Sequence, residues 1–230
     1  MSLRIVECRS PNCDARPEGA AIDMLVLHYT GMKTADEALS RLTDPAAKVS
    51  AHYTIDRDGR VYRHVPEELR AWHAGVSYWA GERNVNGRSI GIELVNPGHE
   101  FGYVPFADAQ IAALIDLSEG IFARHAIAPA RVVGHSDVAP ARKEDPGELF
   151  PWPQLSEYGI GVWPRRDVLS EPFERALARI GYGVPPQTDV PLEAVSRAFQ
   201  RHFRPSCIDG IADDECARLA AGLLACMVGE

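Results

Sequence analysis

Met24-Leu25-Val26-Leu27-His28-Tyr29 is a short apolar run with a polar tip, the pattern of a strand buried on both faces. Further on, Ser89-Ile90-Gly91-Ile92-Glu93-Leu94-Val95 alternates with period two and reads as another strand, and Arg131-Val132-Val133-Gly134-His135 reads as a third. Between the first two, Thr34 followed three residues later by Glu37 forms a capping box that opens a helix through Ala38, Leu39 and Leu42. His52-Tyr53-Thr54-Ile55 and Arg60-Val61-Tyr62-Arg63 flank the turn signal Asp56-Arg57-Asp58-Gly59, which predicts a hairpin. Over 106–126 the residues Ile111, Leu114, Ile115, Ile121 and Phe122 fall on one helical stripe. Strands and helices therefore interleave, and the expected fold class is α/β, a mixed central sheet flanked by helices.

Composition shifts to Pro, Gly, Trp and Tyr between Pro146 and Pro164, which reads as irregular surface chain. Helical patterns follow at about 170–181, 192–203 and 213–226, the second placing Leu192, Val195 and Phe199 on one face. The expected division is an α/β part over 1–164 and a small three-helix module over 165–230. A module that short is marginal alone and is expected to lean on the first part.

With 46% hydrophobic and 24% charged residues in 230, the chain has an ordinary globular composition that excludes disorder. Its 24 Lys and Arg against 32 Asp and Glu leave a charge of −8, which argues against nucleic acid as a partner. No basic amphipathic stretch suggests a membrane surface, and no run approaches the roughly 20 apolar residues of a span. Nothing implies an obligate protein partner. The five cysteines are odd in number and form no C-x-x-C pair, so they read as free structural thiols in a reducing compartment. The first twenty residues lack the apolar core of a signal peptide, and the expected location is the cytoplasm. A leader replaced by Met1-Ser2-Leu3 would instead place the protein in the periplasm or at the outer membrane.

His28 and His135 each end a strand, and Asp145 follows His135 by ten residues. Two imidazoles and a carboxylate make up three ligands of a tetrahedral zinc and leave a position for water; histidines merely hydrogen-bonded at strand ends are the alternative. Glu93 is an acidic residue inside an apolar strand, either an outward-facing group or a buried carboxylate suited to general-base work. Lys143 lies two residues before Asp145, so in extended chain both side chains face one way, and a cation there suits oxyanion stabilisation. Competing motifs fail: His99-Glu100 does not continue to H-E-x-x-H, Gly134-His135-Ser136-Asp137-Val138 lacks the last glycine of a nucleophile elbow, and no phosphate-binding glycine loop occurs.

Five ordered segments carry a resemblance: Leu27-His28-Tyr29-Thr30; Val49-Ser50-Ala51-His52-Tyr53 leading into Asp58-Gly59; Ala71-Trp72-His73-Ala74-Gly75; Ser89-Ile90-Gly91-Ile92-Glu93-Leu94; and Gly134-His135-Ser136-Asp137 through Lys143-Glu144-Asp145-Pro146-Gly147. Together they resemble the zinc-dependent N-acetylmuramoyl-L-alanine amidases, relatives of the peptidoglycan recognition proteins, and within that group the bacterial AmpD/AmiD branch. The resemblance implies one zinc held by His28, His135 and Asp145, with Glu93 as catalytic glutamate and Lys143 assisting the transition state. It implies hydrolysis of the amide between N-acetylmuramic acid and L-alanine, with muropeptides, 1,6-anhydro ones in particular, as substrate in cell-wall recycling. A non-catalytic peptidoglycan sensor using the same groove is the alternative, disfavoured because all three ligand positions are filled. Trp72 and His73 are expected in the groove wall, and Arg83 and Arg88 opposite a stem-peptide carboxylate. His52 is expected in the sheet or lining the site; His64, His99, His125 and His202 are expected at the surface. The C-terminal part resembles the three-helix peptidoglycan-binding module, through Ala176-Leu177-Ala178-Arg179-Ile180-Gly181-Tyr182, Ala198-Phe199-Gln200-Arg201-His202-Phe203 and Asp209-Gly210-Ile211. It departs where Gln187-Thr188-Asp189-Val190-Pro191 replaces the usual Asp-Gly-x-x-Gly, so a structural lobe beside the groove is the other reading.

Overall fold

The computed structural model describes residues 4–165 and 171–227. From the N-terminus come strands β1 (Ile5–Glu7), β2 (Cys13–Ala15) and β3 (Met24–Tyr29), helix α1 (Ala35–Thr43), the hairpin β4 (Tyr53–Ile55) and β5 (Val61–Arg63), and β6 (Leu69–Ala71). A turn of helix, α2 (Val85–Arg88), runs into β7 (Ser89–Leu94), followed by α3 (Gly98–Phe101) and the long α4 (Asp108–Arg124). Strand β8 (Val132–Gly134) continues directly into α5 (His135–Val138); α6 (Trp152–Ser156) precedes the C-terminal α7 (Phe173–Ile180), α8 (Leu192–Phe203) and α9 (Asp214–Met227). The helical pattern expected from about 170 starts at 173 among the described residues; position 170 itself lies outside them.

Six strands make one mixed sheet in the order β1-β5-β4-β7-β3-β8, with β4, β7, β3 and β8 mutually parallel and β5 antiparallel to β4. The parallel centre explains why Met24 to Leu27 are all apolar, since both faces of such strands are covered. Period two divides them. Met24, Val26 and Val133 pack against Phe173, Leu177, Val195, Phe199 and Leu223 of the C-terminal helices. Leu25, Leu27, Ile90 and Ile92 face Leu114, Leu117 and Ile121 of α4, with Phe150 and Trp152 beside them. The C-terminal helices thus share their core with one face of the sheet. The capping box of α1 forms as its sequence predicts, Thr34 Oγ1 accepting the Glu37 N–H and the Glu37 carboxylate accepting the Thr34 N–H, each at 3.2 Å. Strands β1, β2 and β6 have no counterpart in the sequence reading, because three residues are too few to display an alternation.

Two histidines expected at the surface are buried. His64 bridges the Cys8 carbonyl (2.7 Å) and the Thr54 hydroxyl (2.8 Å), and His202 reaches the Asp137 carboxylate (2.8 Å). A third, His125, shares Glu67 with Tyr53 and Arg124: the carboxylate accepts from His125 Nε2 (2.7 Å), Tyr53 OH (2.7 Å) and the Arg124 guanidinium (2.7 and 3.0 Å), fastening the end of α4 to the sheet. Burial works to raise the Glu67 pKa, but the hydrogen bonds from Arg124, Tyr53 and His125 outweigh it and bring it down to about 2. A carboxyl depressed on folding stabilises above its unfolded pKa, near 4.5, and loses that contribution as pH falls through about 2. Glu67→Gln is therefore expected to unfold at lower urea than the unaltered protein at pH 7, the gap closing between about pH 4.5 and pH 2; a gap independent of pH would contradict this linkage.

Candidate metal centre and cleft

Strand register assembles the site. β3 pairs with β7 so that His28 lies opposite Glu93, and with β8 so that Leu27 lies opposite Gly134, the residue before His135. His28, Glu93 and His135 therefore stand side by side at the carboxyl ends of three adjacent parallel strands, where open α/β sheets carry their sites. Asp145 arrives from the loop after α5, anchored by its own carbonyl, which accepts the Ser136 N–H at 2.8 Å.

His28 Nδ1 and His135 Nδ1 are 2.9 Å apart, and each is 3.0 Å from Asp145 Oδ2. All three residues are buried. Their outer hydrogen bonds dictate the tautomers. His135 Nε2 faces the Ala74 carbonyl (3.1 Å), so it carries the proton and Nδ1 is a bare lone pair. The Ser89 hydroxyl gives its only proton to the Val85 carbonyl (2.7 Å) and so accepts from His73 Nε2–H (3.1 Å). His73 Nδ1 must then accept from His28 Nε2–H (3.1 Å), leaving His28 Nδ1 bare as well. Burial, reinforced by His135, pushes the His28 pKa down to about 4 despite Asp145, and burial holds His73 well below its ordinary value, so both are neutral at pH 7. Two lone pairs and a carboxylate oxygen thus converge with no proton between the nitrogens, and their donor atoms all lie within 4.8 Å of one another. That donor set fits a divalent cation, each imidazole being oriented through its other nitrogen.

His135 and Asp145 of the triad line a cleft of about 440 Å³, together with Glu93, Lys143 and Trp72. Glu93 Oε2 is shut off from solvent and has no hydrogen-bond partner. Burial pushes its pKa well above the ordinary carboxylate value, Asp145 adds to the rise and Lys143 opposes it. His73 lines the cleft and also bonds the outer nitrogen of His28. Gly91 makes room for it: a Cβ there would lie 2.4 Å from the His73 ring. His52 stays within the sheet, its Nδ1 accepting the Gly91 N–H at 3.0 Å. His99, at the cleft edge, is bonded to Glu148 at 3.0 Å rather than free in solvent.

Arg83 and Arg88 do not join this group. Arg83 donates to the Gln187 carbonyl (2.7 Å) and lies over the Tyr78 ring, while Arg88 pairs with Asp23 and approaches Glu82 at 3.8 Å. The reason is topological: Arg88 precedes β7 and Glu93 is near its far end, roughly 16 Å along an extended strand. The arginines that do line the cleft are Arg41, from the last turn of α1, and Arg142, whose guanidinium binds the Ala74 and Val76 carbonyls. Arg142 had a signal in its place next to Lys143; Arg41 had none in a single sequence. His73→Leu removes the acceptor that orients His28 and is expected to weaken divalent-metal binding by about 10- to 100-fold in competition with a chromophoric chelator. Unchanged affinity in that variant would refute the orienting role.

The family model described as N-acetylmuramoyl-L-alanine amidase matches residues 18–148. N-acetylmuramoyl-L-alanine amidase AmiD of Escherichia coli strain K12 is 41% identical over an alignment of 251 positions that covers 96% of this chain and 90% of that protein. The solved complex of E. coli AmiD with anhydro-N-acetylmuramic acid-L-Ala-D-γ-Glu-L-Lys superimposes with a TM-score of 0.80 at 40% identity, over 91% of this chain and 92% of that one. AmpDH3 from Pseudomonas aeruginosa in complex with anhydromuramic pentapeptide gives 0.81 at 37% identity, over 92% and 94% of the two chains. With a family match over more than half its length and full-length identity of this order, the chain belongs to the N-acetylmuramoyl-L-alanine amidase family.

Proposed function

We propose that this protein is a zinc enzyme hydrolysing the amide between the lactyl carbonyl of N-acetylmuramic acid and L-alanine in muropeptides, 1,6-anhydro-muropeptides in particular, during peptidoglycan turnover. Two related enzymes have been solved with anhydromuramoyl peptides bound, which supports that substrate class. The observation that carries the reading is the convergence of two bare imidazole nitrogens and a carboxylate beside a cleft that His135, Asp145 and Glu93, with its unpartnered oxygen, line together. A groove built only to bind has no use for an uncompensated buried carboxylate beside such a donor set.

His28 Nδ1, His135 Nδ1 and Asp145 Oδ2 would hold the zinc. When bound, zinc supplies Lewis acidity that activates water near neutral pH and polarises a carbonyl. Glu93, made more basic by its burial, takes a proton from the attacking water as the C–O bond forms. It returns that proton to the alanine nitrogen as the C–N bond breaks, so the products are a lactyl carboxylate and a free peptide amine. The Lys143 ammonium draws the negative charge that develops on the carbonyl oxygen. Trp72 offers an aromatic face to the sugar or peptide, and Arg41 a cation toward a stem-peptide carboxylate.

Glu93→Gln is expected to keep its zinc and lose about 10²- to 10³-fold or more in turnover of an anhydro-muropeptide, followed by mass spectrometry of the released peptide. Normal turnover by that variant would refute the base assignment. Chelation is expected to abolish activity of the unaltered protein, and stoichiometric zinc to restore it; activity that survives complete zinc removal would refute the zinc reading. Arg41→Ala is expected to raise KM severalfold for substrates bearing the stem-peptide carboxylate while leaving kcat in place. An unchanged KM would remove Arg41 from the substrate contacts.

A further inference from the structure

Asp137 lies two residues beyond His135 and is 1% exposed, yet its carboxylate takes no part in the donor set. Its Oδ2 accepts the Gly134 N–H at 2.7 Å and His202 Nδ1–H at 2.8 Å, and its Oδ1 accepts the Tyr182 hydroxyl at 2.6 Å. Two of these three donors belong to the C-terminal helices: Tyr182 follows α7 and His202 is in α8. The His202 ring is stacked on Trp152 with centroids 3.9 Å apart at 21°, and its Nε2 has no partner, so stacking rather than a second hydrogen bond sets its orientation.

The turn that Asp137 secures carries one of the three metal donors and holds a second in place. His135 is its first residue, and the N–H of Ser136 holds the Asp145 carbonyl at 2.8 Å. Packing leaves this junction little slack. A Cβ on Gly134 would meet Pro146 Cδ at 2.7 Å and Asp137 Oδ2 at 3.2 Å, so the residue before His135 and the residue after Asp145 are in direct contact. A shift of Asp137 therefore moves both ligands relative to His28, which is fixed independently in β3.

We infer that Tyr182 and His202 are positioning residues of the metal centre, through which the C-terminal helices hold, by way of Asp137, the turn that sets His135 and Asp145 against His28. The inference rests on the reading of His28, His135 and Asp145 as metal ligands. It gives the C-terminal helices work at the catalytic centre that does not depend on contact with the cell wall. Removing the Tyr182 hydroxyl leaves Oδ1 buried without a partner, and removing the His202 N–H leaves Oδ2 with the Gly134 N–H alone; in either case the turn relaxes to restore the lost bond.

The test uses the full-length protein and four variants: Tyr182→Phe, His202→Leu, His202→Asn, which keeps an N–H donor, and Leu223→Ala, which truncates the same core without touching Asp137. The readouts are zinc affinity by competition with a chromophoric chelator, the visible spectrum of the cobalt-substituted protein, kcat and KM on an anhydro-muropeptide, and Tm. Tyr182→Phe and His202→Leu are expected to weaken zinc binding about tenfold or more, alter the cobalt spectrum and lower kcat with little change in KM. His202→Asn is expected to recover most of the affinity. Leu223→Ala is expected to lower Tm and leave zinc affinity and the cobalt spectrum unchanged. The inference is overturned if Tyr182→Phe and His202→Leu bind zinc as the unaltered protein does, or lose no more affinity than Leu223→Ala. An unaltered protein that takes up no zinc overturns the ligand reading itself, and the inference with it.

Discussion

The backbone hydrogen bonds that hold β3 in parallel register between β7 and β8 are the constraint on which the site depends. They set His28 opposite Glu93 and Leu27 opposite Gly134, which brings His28 level with His135. Side chains alternate between the faces of a sheet, so a slip of one residue along β3 would turn His28 into the core under α4 and point Leu27 at the cleft. That register is enforced from both sides. Met24 and Val26 pack into the core shared with the C-terminal helices, and Leu25 and Leu27 into the core under α4. The same hydrophobic pattern that builds the sheet thereby aligns residues more than a hundred positions apart.

Around that alignment the polar groups are arranged in directed chains. Protons run outward from the His28 imidazole through His73 and Ser89 to the Val85 carbonyl, and from His135 to the Ala74 carbonyl, leaving lone pairs facing inward. Each link fixes the next, because a hydroxyl has one proton to give and a carbonyl none. Neutral imidazoles and an ionised carboxylate are the protonation states that a metal requires; burial favours the first at His28, and at Asp145 the neighbouring His135 and His28 hold the carboxyl well below the usual carboxylate range against its desolvation. Glu93, lacking such partners, moves in the opposite direction. Two carboxylates in one cleft are thus differentiated by their neighbours alone, one suited to hold a cation and the other to carry a proton.

The C-terminal helices complete the structure in two senses. They cover the face of the sheet that bears Met24, Val26 and Val133, which would otherwise be exposed to water. Through Tyr182 and His202 they also supply two of the three donors to Asp137, next to the His135 turn. A helical lobe with its own core could have been attached by a linker; one whose core is continuous with the sheet cannot move without disturbing the site.

The central strands, α1 with its capping box, the β4–β5 hairpin, α4 and the C-terminal helices were legible in the amino-acid sequence because each announces itself within a local window, by periodicity, a cap or a turn. His28, His135, Asp145 and Glu93 were legible as misfits, polar groups at the ends or in the middle of apolar runs, and the ordered motifs around them pointed to one family. Tertiary structure alone decided what those residues face. It placed Arg88 at the wrong end of β7 to reach the cleft, buried His64 and His202, and brought in Arg41 from a helix far away in sequence. The physical reason is that a side chain's partners are set by strand register and by the packing of layers, which join residues across the whole chain, whereas a sequence window records only the neighbours along it.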